Sequence, residues 1–180
     1  MMISKKLEQA INKQINAEIY SSYLYESMAA YYESINLKGF AHWMYVQALE
    51  EKTHARRFFN YVNDRGGRVT LTSIAAPPVK WDGPAEPFGD AYKHEQKVTG
   101  LINNIANISI AEKDHLTTNM LQWFINEQVE EEASALDVYQ KLKLLRGRGD
   151  GLFILDKDLA TRVIGPVAQT VLLTGSVPPA

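Results

Sequence analysis

Apolar and polar side chains alternate along most of this chain with the period of an α-helix. Apolar residues recur at steps of three and four over four long stretches, approximately residues 4–34, 37–65, 87–113 and 114–146. This spacing puts the apolar side chains on one face, as in helices that pack into a left-handed bundle. Such stretches would form helices of about 40–50 Å, well above the average length in globular proteins. The pattern therefore predicts an all-α four-helix bundle.

The connections between these helices are predicted to differ in length. Ile35 and Asn36 make a short connection after the first helix, and the third and fourth helices meet near Lys113. Residues 66–86, which begin with two glycines and are rich in proline, separate the second helix from the third. A connection of that length can run along the whole bundle, so we expect one long crossover with the second and third helices parallel.

Three glycines follow the fourth helix and are expected to end it: Gly147, Gly149 and Gly151. A short fifth helix is predicted over residues 152–163. Residues 165–180 are apolar and rich in turn-forming residues, and the pattern assigns them no structure. We therefore divide the chain into a helical domain, residues 1–164, and a tail of unknown role, residues 165–180.

Composition narrows the chemistry that the bundle can carry. The chain has 180 residues, of which 46% are hydrophobic and 22% charged, and its net charge is −2, so nothing favours nucleic acid or an anionic membrane as partner. Cysteine is absent, which leaves aspartate, glutamate and histidine as the strong metal ligands. No signal peptide is visible in residues 1–8, and no apolar stretch reaches the length of about 20 residues that a membrane span needs. We expect a cytoplasmic protein.

Polar residues replace apolar ones near the middle of each helix's apolar face. The six positions are Glu18 in the first helix, Glu51 and His54 in the second, Glu95 in the third, and Gln128 and Glu131 in the fourth. Burying an unpaired carboxylate costs several kcal/mol, and neighbouring carboxylates also repel one another. The cluster therefore requires protons or a bound cation.

The two helical hairpins place these polar residues at equal separations. Glu51 follows Glu18 by 33 residues, and Gln128 follows Glu95 by the same 33 residues. In both hairpins the next polar position comes three residues later. Two half-sites related by a pseudo-twofold axis would show this spacing, whereas a bundle with a merely structural polar core would leave it unexplained.

Oxygen-rich ligation with one imidazole favours a hard ion, iron or manganese before copper, and would also tolerate zinc. Three further carboxylates lie one position away from the cluster: Glu50, Glu127 and Glu130. They are either surface residues or ligands of a further cation, and the sequence leaves both interpretations open. Glu132 is expected to face solvent. Structural roles are expected for His42, His94 and His115.

Around these residues the sequence resembles the prokaryotic non-haem ferritins, over about residues 5–160. The matching segments are 14–22 (QINAEIYSS), 50–54 (EEKTH), 92–95 (YKHE), 122–132 (QWFINEQVEEE) and 155–159 (LDKDL). The resemblance implies a ferritin-like four-helix bundle with one long crossover and a short C-terminal fifth helix. It also implies an iron-storage protein with ferroxidase activity. Such a protein oxidises Fe(II) with O2 at a di-iron centre and stores ferric oxyhydroxide mineral inside a homo-oligomeric 24-subunit shell.

The resemblance also implies roles for individual residues. Glu18, Glu51 and His54 would bind the first iron, and Glu51 would bridge to the second. The remaining members of the cluster would hold that second iron: Glu95, Glu131 and, lining its site, Gln128. An extra iron site would be formed by Glu50, Glu127 and Glu130 together with Glu131. Tyr25 matches a tyrosine beside the ferroxidase centre and Trp123 a neighbouring aromatic, although both also suit an ordinary core.

Two departures separate this sequence from the haem-binding bacterioferritins. Those relatives carry methionine directly after the glutamate of the second helix and a second Glu-x-x-His on the fourth helix. Here Lys52 occupies the position of that methionine, and residues 128–131 (QVEE) occupy the position of the second Glu-x-x-His. Both differences argue against haem and against a permanently bound iron pair. The alternative function is a ferritin-like di-iron oxidase or peroxidase without mineral storage.

Overall fold

The computed structural model describes residues 2–145 and 149–175, which form six α-helices and, within those ranges, no β-strand. The helices are α1 (Lys5–Ser34), α2 (Lys38–Asp64), α3 (Glu86–Ala111), α4 (His115–Leu145), α5 (Gly149–Leu159) and α6 (Pro166–Thr174). The first four begin and end within two residues of the predicted limits, and the all-α four-helix bundle is confirmed. No helix in the described part of the chain is long and apolar enough to cross a membrane.

Local signals fix the ends of α1. Ser4 caps its first turn, because the Ser4 side-chain oxygen accepts a hydrogen bond of 3.2 Å from the backbone N–H of Leu7. After the last turn, Asn36 adopts a left-handed conformation with φ 60°, which asparagine tolerates better than most residues. The N–H of Leu37 then donates to the carbonyl of Tyr32 over 3.0 Å. This closed turn reverses the chain into α2.

An ion pair joins the end of α2 to the start of α4. Arg65 Nη2 lies 2.8 Å from Asp114 Oδ2. Asp114 also accepts a hydrogen bond of 3.0 Å from the backbone N–H of Thr117 and so caps the first turn of α4. Because α3 ends directly before this cap, α2 and α3 end at the same end of the bundle. They are therefore parallel, as one long crossover requires.

The crossover between α2 and α3 follows α1 along its length. Asn12 exchanges hydrogen bonds with the backbone of Arg68 and Thr70, at 3.0 and 2.9 Å. Further along α1, Ser27 donates to the carbonyl of Pro78 over 2.6 Å, and Tyr32 donates to that of Pro84 over 2.6 Å. Side chains of α1 thus satisfy backbone groups that a loop without secondary structure would otherwise leave to water.

The apolar core has two parts, and the six polar positions lie between them along every helix. One part packs residues 24–32 of α1 against residues 40–48 of α2 and the beginning of α3. The other packs residues 3–15 against the C-terminal half of α2 and the middle of α3. The polar cluster is therefore enclosed by packed side chains at both ends.

The C-terminal region differs from its prediction. Gly149 and Gly151 lie inside α5, so these glycines do not end α4, and α5 ends at Leu159 rather than near Val163. The physical reason is tertiary: a Cβ on Gly151 would lie 2.3 Å from the Leu145 side chain, so glycine permits close packing against α4. Arg146 and Gly147 lie outside the described residues.

The tail contains a helix that the sequence pattern did not assign. α6 packs along α2 and buries Ala168 and Val171, and Asn60 of α2 donates a hydrogen bond of 3.2 Å to the carbonyl of Gly175. The division of the chain at residue 164 stays a prediction.

Candidate metal centre

The structure places the six predicted polar residues inside the bundle, each with between 1% and 6% of its surface exposed. Glu18 comes from α1, Glu51 and His54 from α2, Glu95 from α3, and Gln128 and Glu131 from α4. These residues continue the three- and four-residue spacing of the apolar positions. They therefore lie on the face of each helix that points at the bundle axis. All four helices therefore contribute to one polar layer.

Three of these residues lie close enough together to hold one metal ion, and we call such a set a metal-sized group. This one is the inner group: Glu18, Glu51 and His54. Each offers a ligand atom within 4.8 Å of the other two. His54 Nδ1 lies 3.4 Å from Glu51 Oε2, close enough for a single cation to contact both side chains. Two carboxylates and one imidazole suit iron or manganese and also accept zinc.

A second metal-sized group lies on the other side of the same imidazole, and we call it the outer group: His54, Glu127 and Glu131. Its members also offer ligand atoms within 4.8 Å of one another, and His54 Nε2 lies 3.9 Å from Glu127 Oε1. Glu127 is only half-buried. Its position between the buried cluster and the surface puts the outer group nearer to solvent than the inner group.

The structure does not gather Glu95 into either group. Glu95 Oε1 instead accepts a hydrogen bond from the hydroxyl of Tyr25, and Gln128 Nε2 lies 3.3 Å from Glu95 Oε2. Gln128 also lies 3.3 Å from Thr99 Oγ1. Protein donors thus hold the carboxylate of Glu95, which would have to exchange such a partner to contact a cation.

Two buried glutamines orient the carboxylates, and the sequence interpretation gave neither of them this role. Gln14 Nε2 donates to Glu18 Oε1 over 2.8 Å. Gln47 Nε2 donates to Glu51 Oε1 over 2.8 Å and to Glu131 Oε2 over 2.7 Å. Each glutamine precedes its glutamate by four residues and lies on the same face of the helix. That repeated spacing was the signal available in the sequence.

Burial and mutual repulsion favour protonated carboxyls in this cluster. Burial, together with the charge of Glu51, raises the pKa of Glu18 from 4.5 to about 8 and that of Glu131 to about 8. The same two causes raise the pKa of Glu95 well above its ordinary value. Glu18 Oε2 is buried and has no hydrogen-bond partner among the described residues. A carboxyl oxygen left in this way is a free ligand atom for a cation.

Glu51 and His54 form the charged pair of the cluster. Burial lowers the pKa of His54, but the Glu51 charge and the hydrogen bond with Glu51 outweigh burial and raise that pKa from 6.5 to about 10. Burial likewise disfavours the charged form of Glu51. The charge of His54 and the hydrogen bonds with His54 and Gln47 have the larger effect, so the pKa of Glu51 is lowered. Without metal, the proton on His54 therefore supplies the positive charge that a metal ion would bring.

The aromatic residues that the resemblance singled out lie beside the cluster. Tyr25 is fully buried and bonds to Glu95. The Trp123 ring lies 5.4 Å from the His54 ring, edge to face, and the guanidinium of Arg57 lies over the Trp123 ring, 3.8 Å from its centre. Tyr25 is thus in contact with the cluster, and Trp123 packs against one of its members.

The three flanking carboxylates have different surroundings. Glu50 forms an ion pair with Arg162, which follows α5. Glu127 belongs to the outer group, and Glu130 is exposed. Glu132 differs from its prediction, because it is half-buried and accepts a hydrogen bond of 2.6 Å from Thr99 Oγ1.

The other histidines lie outside both metal-sized groups. His42 Nε2 donates to the carbonyl of Arg162 over 2.8 Å. His94 Nε2 lies 2.7 Å from Ser21 Oγ, and burial lowers the pKa of His94. His115 is exposed at the start of α4.

Comparison with known proteins places this chain in a family. Residues 8–145 match the family described as ferritin-like domain. A bacterial non-heme ferritin from Bacteroides fragilis is 43% identical over 161 residues, which are 89% of this chain and 100% of the relative. One from Escherichia coli is 36% identical over 160 residues, or 89% and 97% of the two chains.

Solved structures of archaeal ferritins have the same fold. The open-pore ferritin of Archaeoglobus fulgidus, a hyperthermophilic archaeon, superposes with a TM-score of 0.88 at 51% identity, over 89% of this chain and 98% of that one. A closed form of that ferritin, engineered by site-directed mutagenesis, gives 0.89 at 50% identity, over 91% and 99%.

A four-helix bundle with carboxylates and an imidazole buried at its centre defines a metal-binding bundle protein. The chain belongs to the ferritin family, and its relatives are bacterial and archaeal non-haem ferritins, which confirms the resemblance. Iron handling, in the general sense of that family, is the function that the bundle carries.

Proposed function

We propose that this chain is a ferroxidase subunit of an iron-storage shell. Fe(II) is the substrate, O2 accepts its electrons, and the oxidised iron is stored as ferric oxyhydroxide mineral inside a 24-subunit homo-oligomer. The six polar residues of the bundle bind the two irons, with Glu51 as the bridge. Glu50, Glu127 and Glu130, together with Glu131, are proposed to hold a third. No haem is involved in this proposal.

One observation carries the proposal: four helices bury carboxylates around an imidazole, and Glu18 Oε2 has no hydrogen-bond partner in the described residues. Such a cluster is costly unless a cation or protons compensate for it. Divalent ions can replace the protons held by Glu18, Glu131 and His54 and then gain ligands that the protein has already positioned. The structure of the chain thus favours metal binding over a purely structural role for the cluster.

The chain's own residues would orient the irons and handle protons. Gln14 and Gln47 hold one oxygen each of Glu18 and Glu51, so that the second oxygen of each carboxylate can turn towards metal. His54 must lose its proton before it binds. Gln128 occupies in the second hairpin the position that Glu51 occupies in the first, but it is neutral and therefore a weaker ligand. That asymmetry favours irons that bind, react and leave over a permanent pair.

Storage inside a shell is supported by the relatives. Those found are ferritins, and the Archaeoglobus protein is described as having an open pore, which suits iron traffic through the wall of a hollow assembly. The match covers nearly the whole length of these relatives. A shell of the same kind is therefore part of the proposal.

Iron loading tests the proposal directly. Fe(II) is added anaerobically to the metal-free protein, O2 is admitted, and the iron retained per subunit is measured together with particle mass. We expect a large particle that retains far more iron than its ligand residues can bind. Retention of about two irons per subunit in a small oligomer would reject storage and favour a di-iron oxidase or peroxidase.

Removal of the bridging carboxylate tests the centre separately from the shell. Glu51→Ala is expected to abolish rapid Fe(II) oxidation while particle mass is unchanged. Glu33→Ala, which removes an exposed glutamate of α1, is the matched control and should oxidise iron like the unaltered chain. An unchanged oxidation rate in Glu51→Ala would show that Glu51 is not the bridge.

A further inference from the structure

Arg162 brings a positive charge from the C-terminal segment to the edge of the metal centre. It follows α5, beyond the residues 8–145 that match the ferritin-like family. Its guanidinium forms an ion pair with Glu50, whose side chain is 18% exposed, while that of Arg162 is 20% exposed. The pair is therefore largely shielded from water and less weakened by salt than a surface pair.

The position of Arg162 is fixed by contacts that do not involve Glu50. Its carbonyl accepts a hydrogen bond of 2.8 Å from His42 Nε2. Its guanidinium lies 4.1 Å from the centre of the Trp43 ring and donates to the Trp43 carbonyl over 3.3 Å. Since α2 holds both the backbone and the side chain of Arg162, the guanidinium would stay beside the centre if Glu50 turned away.

A further contact of Arg162 reaches the cluster itself. Arg162 Nη2 donates to Gln47 Oε1 over 2.7 Å, and Gln47 Nε2 donates to Glu51 and Glu131. An amide side chain has one acceptor oxygen and one donor nitrogen. With the oxygen committed to Arg162, the nitrogen must face the carboxylates. Arg162 is thus joined to the centre through Gln47 and to the flanking carboxylates through Glu50.

Glu50 is the flanking carboxylate that the ion pair keeps from the outer group. The outer group consists of His54, Glu127 and Glu131, and Glu50 precedes His54 on α2 by four residues, so these two side chains lie on the same face of the helix. A Glu50 carboxylate released from Arg162 would therefore lie on the face of α2 that carries His54. Its carboxylate instead faces a guanidinium, which satisfies its charge in the way that a metal ion would.

We propose that Arg162 competes with metal for Glu50 and so limits how tightly the outer group binds a cation. A metal ion in the outer group gains the Glu50 ligand only when Glu50 leaves Arg162, which then keeps its contacts with Gln47 and Trp43. Arg162 is thus a specificity-determining residue for metal occupancy and not a ligand. The inference rests on the metal centre of the proposed function.

Zinc titration of the assembled, metal-free protein tests the competition. Zn(II) is redox-inert, so calorimetry reports the number and affinity of its sites without iron oxidation. We expect the unaltered chain to bind two ions tightly and a third, in the outer group beside Glu50, weakly. Arg162→Ala should tighten the third site about tenfold, because a charged hydrogen-bonded pair no longer has to break. Affinities at the two tight sites should change much less.

Further variants assign the effect to the charge on Glu50. Arg162→Lys keeps the charge and should resemble the unaltered chain, whereas Arg162→Gln should resemble Arg162→Ala and also serves if the alanine variant does not assemble. In Glu50→Gln with Arg162→Ala, the gain at the third site should disappear. Arg56→Ala removes an exposed guanidinium of α2 that stacks on Phe59, and it should leave all sites unchanged.

The outcomes separate this inference from the proposed function. A third site of equal affinity in Arg162→Ala and the unaltered chain would overturn the competition, as would a gain in Arg162→Lys equal to that in Arg162→Ala. Absence of tight zinc binding by the unaltered chain would instead count against the metal centre as a whole.

Discussion

The hydroxyl of Tyr25 on α1 donates a hydrogen bond to Oε1 of Glu95 on α3, inside the bundle. Burial, together with the charge of Glu95, raises the pKa of Tyr25 well above its ordinary value, so that the phenol stays a donor. Gln128 on α4 approaches the other oxygen of Glu95 at 3.3 Å. Donors from two neighbouring helices therefore fix the Glu95 carboxyl in one orientation.

Tyr25→Phe keeps the ring and removes this donor. We expect the metal-free variant to lose about 1–3 kcal/mol in free energy of unfolding, because a buried acceptor is left unsatisfied. A metal ion that takes the oxygen of Glu95 should recover most of that loss. Denaturant unfolding with and without zinc measures the difference.

Tyr32→Phe is the matched control for Tyr25→Phe. Tyr32 is equally buried and donates to the carbonyl of Pro84 in the crossover, away from the cluster. Its loss of stability should be the same with and without zinc. Equal losses with and without zinc in Tyr25→Phe as well would show that Tyr25 is only a core residue.

Metal binding should release protons at neutral pH. The raised pKa values of Glu18 and Glu131, about 8, and of His54, about 10, mean that all three hold protons at pH 7 in the metal-free chain. Metal can bind only to the deprotonated forms. We expect release of more than one proton per subunit at pH 7 and tighter binding as pH rises towards 8.

Calorimetry in buffers of different ionisation enthalpy measures this release. The same carboxyl shifts give the metal-free protein a stability that is largest below pH 4.5 for these two groups and is lost as pH rises through about 8. Metal affinity that is independent of pH between 6 and 8 would contradict protonated carboxyls in the cluster.

The sequence was sufficient for the bundle and for the positions of the polar cluster, for one physical reason. Burial follows the helical period, so the apolar neighbours of Glu18 and Glu95 show that these two charged residues lie on the buried face of their helices. The crossover could be predicted because only its length matters. The role of Gln47 was harder to predict, because a glutamine on the apolar face of a helix is common and the only signal was that Gln47 precedes Glu51 by four residues, as Gln14 precedes Glu18.

Contacts between distant segments could not be read from local patterns. Gly151 has the local signature of a helix stop, but its role depends on the Leu145 side chain packed against it. Arg162 lies more than a hundred residues from Glu50 in sequence, and nothing near either residue indicates the other. The helix formed by residues 166–174 is short, and its packing against α2 stabilises it more than its own propensity does.

Asp156 of α5 caps α2, and its removal should weaken the bundle at that end. Leu37, at the N-cap of α2, makes no side-chain hydrogen bond there, whereas Asp156 Oδ1 accepts from the backbone N–H groups of Gly39 and Phe40 at 2.8 and 3.1 Å. Asp156→Ala should cost about 1 kcal/mol in free energy of unfolding.

Asp158→Ala, an exposed position on the same helix, is the control for Asp156→Ala. Thermal and denaturant unfolding of the metal-free chains compare the two variants, and the control should lie close to the unaltered chain. Equal stability of both variants would show that α2 does not depend on α5 for its cap.

Glu18→Gln tests separately how the Glu18 carboxyl affects stability and how it affects metal affinity. Because burial raises the pKa of Glu18 from 4.5 to about 8, a neutral amide of the same shape should leave the stability of the metal-free chain nearly unchanged only below pH 4.5, where the carboxyl is protonated in both the folded and the unfolded chain. At pH 7 and above the variant should be the more stable protein, since folding of the unaltered chain must take up a proton at Glu18 or bury its charge, and glutamine does neither. Zinc affinity should fall at least about tenfold, because a neutral amide oxygen replaces a carboxylate ligand. Unfolding at pH 4 and pH 7, with zinc titration at pH 7, tests this prediction: a variant that is much less stable at both pH values and binds zinc normally would make Glu18 a structural residue.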